Sequence, residues 1–246
     1  MRFFIELSYK GTNYHGWQVQ PNANTVQAEI NKALSLILNA KIEVVGAGRT
    51  DSGVHAKQMF AHFDFDIQFD FHTTIIKLNS FLPNDIAVLS FFKVKVEASS
   101  RFDALSRIYN YNIVQRKSPF KTNAYFVHKT LDVKNMNLAS QYLLGKQDFT
   151  SFSKANTQTF TNNCNVMLAS WQWQNGELVF NIKADRFLRN MVRAVVGTLL
   201  EVGLGKINPE QVKKIIAQND RCMAGASVPA NALFLSEIEY PKDIFI

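Results

Sequence analysis

Hydrophobic and polar positions alternate at the start of the chain. Phe3, Ile5 and Leu7 face one way and Glu6 and Ser8 the other, as in a strand with one buried face. Val26, Ile30, Ala33, Leu34 and Ile37 then keep helical spacing, with Asn24 as the expected N-cap and Gln27 three residues later. Residues 42–45 read as a strand running into a loop bounded by glycines. Ala61, Phe63 and Phe65 alternate with His62, Asp64 and Asp66 as another strand. A helix over 73–82 is stopped by Pro83, and residues 86–96 close this half as a strand. The order is β-α-β-β-α-β, the split βαβ arrangement of ferredoxin-like and RNA-recognition units.

The second half repeats that order with an added helix. Residues 108–114 read as a strand, and Asp132 caps a helix carrying Met136, Ala139, Leu143 and Leu144, which Gly145 ends. Residues 165–173 and 178–182 form a hairpin around Asn175-Gly176. A helix is expected over 186–202, and another begins at Asn208-Pro209. Residues 232–240 supply the last strand. The expectation is an α+β chain of two tandem halves, 1–103 and 104–246. They share a continuous, mainly antiparallel sheet with helices on one face and a central cleft for a ligand.

Composition narrows the classes. The chain has 246 residues, 47% of them hydrophobic, and a formal net charge of +7, which favours polyanionic partners such as nucleic acid. Two cysteines, Cys164 and Cys222, lie far apart and read as reduced thiols. The five histidines show no paired ligand spacing, so no metal is expected. No apolar run is long enough to span a membrane or serve as a signal peptide, and a cytoplasmic protein is expected.

Chemistry concentrates in Gly48-Arg49-Thr50-Asp51-Ser52-Gly53. Glycines allow a sharp turn and close approach of a ligand, and Asp51 between them is placed for work on that ligand. An ordinary polar turn is the plain alternative. On the helix expected over 186–202, Arg186, Arg189, Asn190 and Arg193 form a polar stripe, either a solvated face or a phosphate-binding edge. Arg107, Tyr109 and Tyr111 alternate along one strand. A strand tyrosine is either a packing residue or a stacking platform for an unstacked base. The segment 9–18, rich in aromatics, amides and glycines, is either a loop anchored by Trp17 or a backbone-contacting surface. Gly46-x-Gly48 lacks the third glycine of a dinucleotide fingerprint, and no P-loop lysine follows it.

Taken in order, these segments resemble the tRNA pseudouridine synthase A family. The resemblance rests on Ser8-Tyr9-Lys10-Gly11-Thr12-Asn13-Tyr14-His15-Gly16-Trp17-Gln18, Thr25-Val26-Gln27 and Gly46-Ala47-Gly48-Arg49-Thr50-Asp51-Ser52-Gly53-Val54-His55-Ala56. It continues through Leu78-Asn79-Ser80-Phe81-Leu82-Pro83, Arg101-Phe102-Asp103-Ala104, Arg107-Ile108-Tyr109-Asn110-Tyr111, Asp148-Phe149-Thr150-Ser151-Phe152 and Phe187-Leu188-Arg189-Asn190-Met191-Val192-Arg193. The family pattern usually carries Ala where this chain has Ser52. The resemblance implies isomerisation of uridine to pseudouridine at positions 38–40 of the tRNA anticodon stem-loop, by a homodimer without cofactor or metal. It implies Asp51 as the nucleophile, Arg193 as its cationic partner, Tyr109 packed on the target base, and Arg49 holding that nucleotide out of the stack. An Arg beside a carboxylate favours the ionised form, which suits a nucleophile.

Overall fold

The computed structural model describes residues 1–154 and 160–246. They form two compact units, Met1–Leu105 with Leu235–Ile246, and Ser106–Phe234. The sequence reading assigned everything after residue 103 to the second half; the structure instead clusters the C-terminal segment with the first unit.

In the first unit, β1 (Arg2–Tyr9), α1 (Val26–Ile37), β2 (Val45–Gly46), β3 (His55–Asp64), α2 (Phe71–Phe81) and β4 (Ile86–Val94) follow in the expected order. Strand β1 lies between β3 and β4, antiparallel to both. The expected strand over 42–45 is mostly not paired to another strand, because α1 takes its hydrogen bonds instead. Val44 N donates to Asn31 Oδ1 at 2.9 Å, Gln27 Nε2 donates to Val44 O at 2.7 Å, and Ile42 N donates to Ser35 Oγ at 2.9 Å. The alternation in the sequence is real, since Ile42 and Val44 are buried. Only the partner differs. Gln27 therefore does not close a capping box with Asn24; the N-cap is Thr25, without a side-chain cap bond.

Strand β1 is buried on both faces, not one. Phe3 sits among Phe63, Phe69 and Phe71, with ring centroids 5.0 to 5.9 Å away. On the opposite face Phe4 is covered edge-on by Tyr240 and Phe245 of the C-terminal segment. That long-range cover explains why the local pattern suggested a half-exposed strand.

The second unit holds β5 (Ser106–Val114), β6 (Tyr125–Phe126), α3 (Val133–Gln141), β7 (Gly145–Asp148), β8 (Asn163–Gln174), β9 (Glu177–Ala184), α4 (Met191–Gly203) and α5 (Gln211–Gln218). Strands β5, β9, β8 and β7 pair antiparallel in that order, and β6 adds to β5 in parallel. Asp132 caps α3 through Asn135 N, as its sequence position suggests. Asn175 and Gly176 both take positive φ, +49° and +74°, giving the tight β8–β9 turn. Strand β10 (Leu233–Glu239) leads the chain out of this unit. With ten strands and five α-helices among the described residues, the class is mixed α+β and mainly antiparallel.

Helix α4 corrects the sequence reading most. It starts at Met191, five residues later than expected, because Asn190 adopts a left-handed backbone, φ +67°. Its side chain donates to Ser227 Oγ at 2.6 Å. Arg186, Phe187 and Arg189 therefore lie before the helix. The helix itself is buried around most of its circumference, which the stripe on one side did not reveal.

Candidate active site

The loop carrying Asp51 is short, and much of what fixes it comes from the segment 9–17. Tyr9 Oη and Thr50 Oγ1 share a buried hydrogen bond of 2.8 Å. Trp17 N donates to Thr50 O at 3.2 Å, Gly53 N donates to Tyr14 O at 3.4 Å, and Val54 N donates to Asp51 O at 3.1 Å. Ser52 Oγ adds a 3.2 Å bond to Tyr14 O, which an alanine there could not make. Behind the loop, Gly11 N donates to the buried His55 Nδ1 at 2.9 Å, so that nitrogen is an acceptor and the ring is neutral there.

Close packing explains two of the glycines. Gly16 has φ +90°, and a Cβ there would lie 2.4 Å from Thr50 O. A Cβ on Gly46 would strike the Trp17 indole at 2.3 Å. Gly48 differs: nothing among the described residues lies within 4 Å of the position its Cβ would take. The backbone of the loop is thus bare where it meets open space, beside a half-buried Asp51 and an exposed Arg49. Of the two readings left open for 9–18, the loop anchored by Trp17, itself buried, describes its inner residues.

Tyr14 is tied in turn. Its hydroxyl donates to Asp85 Oδ1 at 2.5 Å, and Asn13 Nδ2 donates to Asp85 Oδ2 at 3.0 Å. Burial, then the bond to Asp85, push the Tyr14 phenol well above its ordinary range. The group stays a neutral donor.

In the second unit, Tyr109 and Tyr111 separate. Tyr111 is fully buried and donates to Pro229 O at 3.0 Å, and burial raises its phenol strongly, so it is a packing residue. Tyr109 is half-buried, with the Phe187 ring edge-on at 5.1 Å. Phe187 falls within the helix expected over 186–202, but it lies just before α4 and buttresses Tyr109.

Arg193 lies in the first turn of α4, and a strap over 224–228 sets its side chain. Arg193 Nε donates to Val228 O at 2.7 Å, and Val228 N returns a bond to Arg193 O at 3.2 Å. Arg221 reinforces the strap through Ala224 O, Gly225 O and Ser227 Oγ, while Gly225 N donates to Thr198 Oγ1 at 2.8 Å. A cation in the first turn opposes the helix dipole, so the strap rather than the helix holds this side chain in place. Arg189 is exposed, and its carbonyl accepts from Lys154 N at 3.0 Å. The strap does not stand out in the sequence, because its role depends on contacts between distant segments.

Among the described residues no cluster of three or more His, Cys, Asp or Glu side chains could hold a metal ion. Cys164 is buried and its thiol is pushed up to about 12 by burial, while Cys222 is exposed; they are not bonded to each other.

An aspartate loop rigidly mounted on a mainly antiparallel α+β scaffold, with a basic second unit, fits an RNA-modifying enzyme. Comparison with known proteins gives the family. A family model described as tRNA pseudouridine synthase matches residues 139–241. A tRNA pseudouridine synthase A from Bacteroides thetaiotaomicron is 53% identical over 99% of this chain and 92% of its own length. One from Bacteroides fragilis is 51% identical, covering 99% and 98%, and one from Aliivibrio salmonicida is 39% identical, covering 99% and 94%. The chain belongs to the tRNA pseudouridine synthase A family, and its activity is that of an isomerase acting on tRNA.

Proposed function

We propose that this enzyme converts uridine to pseudouridine at positions 38–40 of the tRNA anticodon stem-loop, with Asp51 as nucleophile. The observation that carries the reading is the mounting of Asp51: a half-buried carboxylate on a loop held by Tyr9, Tyr14 and Trp17, next to the open backbone of Gly48. Such rigidity suits a group that must meet one atom of a nucleotide.

The reaction conserves atoms. The N1–C1′ bond of the uridine breaks, the uracil turns, and C5 joins C1′; the proton lost from C5 is balanced by one gained at N1. Asp51 forms a transient covalent bond to the nucleotide, at the ribose C1′ or at the uracil ring, while the detached base turns within the site. No redox partner is required by that balance. Because a stem nucleotide is stacked, it must first be extruded, at a cost of a few kcal/mol. Arg49, exposed beside Gly48, holds the extruded nucleotide, and Tyr109 packs on its base with Phe187 behind. Arg193 serves as the cation for the Asp51 carboxylate. The enzyme works as a cytoplasmic homodimer.

Unmodified tRNA transcripts carrying uridine at only one of positions 38, 39 or 40 test the reading. Product mapped by carbodiimide and primer extension is expected at each of these positions and lost when that uridine is replaced. Product elsewhere in the tRNA, with none at 38–40, would overturn it.

A further inference from the structure

No Asp or Glu lies between Asp103 and Asp132, and the centre of that stretch is Gln115-Arg116-Lys117-Ser118-Pro119-Phe120-Lys121. Arg116 and Lys117 are exposed, and Phe120 is 94% exposed. A single exposed apolar side chain is ordinary on a protein surface. This one sits at the tip of a segment the protein takes trouble to hold. Beyond the tip, β6 pairs with β5, and Asn231 Nδ2 donates to Thr122 O at 2.9 Å. Lys121 Nζ reaches Asn175 O at 3.1 Å and pairs with Glu177 at 3.1 Å, fastening the tip to the β8–β9 turn. Lys121 and Glu177 answer each other, which leaves the segment's outward charge to Arg116 and Lys117. Phe120 N donates to Ser118 Oγ at 3.3 Å, fixing the turn that presents the ring.

The geometry points to this arm as a second docking surface for tRNA, distinct from the Asp51 loop: Phe120 stacks on an unpaired base while Arg116 and Lys117 take neighbouring phosphates. Charge complementarity selects the occupant. An outward ring beside two cations, with the one nearby carboxylate, Glu177, already answered by Lys121, suits a polyanion carrying exposed π-faces. The inference rests on tRNA being the substrate but not on which uridine reacts.

Fluorescence anisotropy of the full-length protein with a labelled, unmodified tRNA transcript tests it across a salt series. Phe120→Ala is expected to weaken binding roughly 5- to 100-fold, and Phe120→Trp to retain it. Arg116→Gln with Lys117→Gln is expected to lower the slope of log K against log salt by roughly 1 to 2. Because Phe120 buries little, the thermal midpoint of Phe120→Ala should match wild type, which separates lost contact from lost fold. Wild-type affinity and salt slope in both sets of variants would overturn the arm. A wild-type enzyme that binds tRNA through the arm yet makes no pseudouridine at 38–40 would sink the proposed function and leave the arm standing.

Discussion

His62 shows how one side chain can carry a pH signature. Its Nδ1 accepts from Ser100 N at 3.2 Å and lies 2.9 Å from Ser100 Oγ, which itself donates to Val45 O at 2.7 Å. Burial, then the charge of Arg2, lower its pKa from the ordinary 6.5, against weaker opposing pulls from Asp64 and Asp103. The folded protein therefore resists a proton that the unfolded chain accepts. Stability is full above about pH 6.5 and falls as pH drops from there towards the lowered folded pKa. Asp64, lowered by its bond to Arg2, adds a separate loss only below its ordinary 3.8. Thermal midpoints of wild type should decline as pH falls below 6.5, and His62→Gln should flatten that decline. Identical slopes for the two proteins would refute the assignment. The loop that carries Asp51 is legible as a loop, since glycines bracket it and the motif is contiguous. The bond from His62 to Ser100 is not, because 38 residues separate the partners.

Elements are legible where local chemistry sets them. The Asn-Gly turn between β8 and β9 and the Asp132 cap of α3 depend on backbone preferences of the residues themselves. The start of α4 depends instead on Asn190 reaching Ser227, so a periodic run of apolar residues carried the expected helix too far back. The same strap yields a test. A Cβ on Gly197 would lie 1.9 Å from Ala226 O, backbone against backbone. Alanine would gain about 1 kcal/mol in helix propensity, but overpacking of this kind costs about 1–3 kcal/mol and cannot be relieved by turning a side chain. Gly197→Ala should therefore lower stability in a denaturant titration and, by moving Val228 O off Arg193 Nε, lower activity as well. An equally stable, fully active variant would show that the strap does not set Arg193.

At the scale of the molecule, the net charge of +7 already favours a polyanion, and family membership over essentially the full length makes that polyanion tRNA. The expected β-α-β-β-α-β order of the first unit appears in the structure, while the return of the C-terminal segment to that unit does not follow from any local pattern. Tyr240 and Phe245 cover Phe4 from the opposite end of the sequence. The central claim is that one carboxylate performs the chemistry on this tRNA. Single-turnover conversion of an unmodified transcript by Asp51→Asn, beside wild type, addresses it most directly. Product formation should fall by at least about 1000-fold while tRNA affinity and thermal midpoint are retained, as for loss of a covalent nucleophile. Conversion at the wild-type rate would contradict the account.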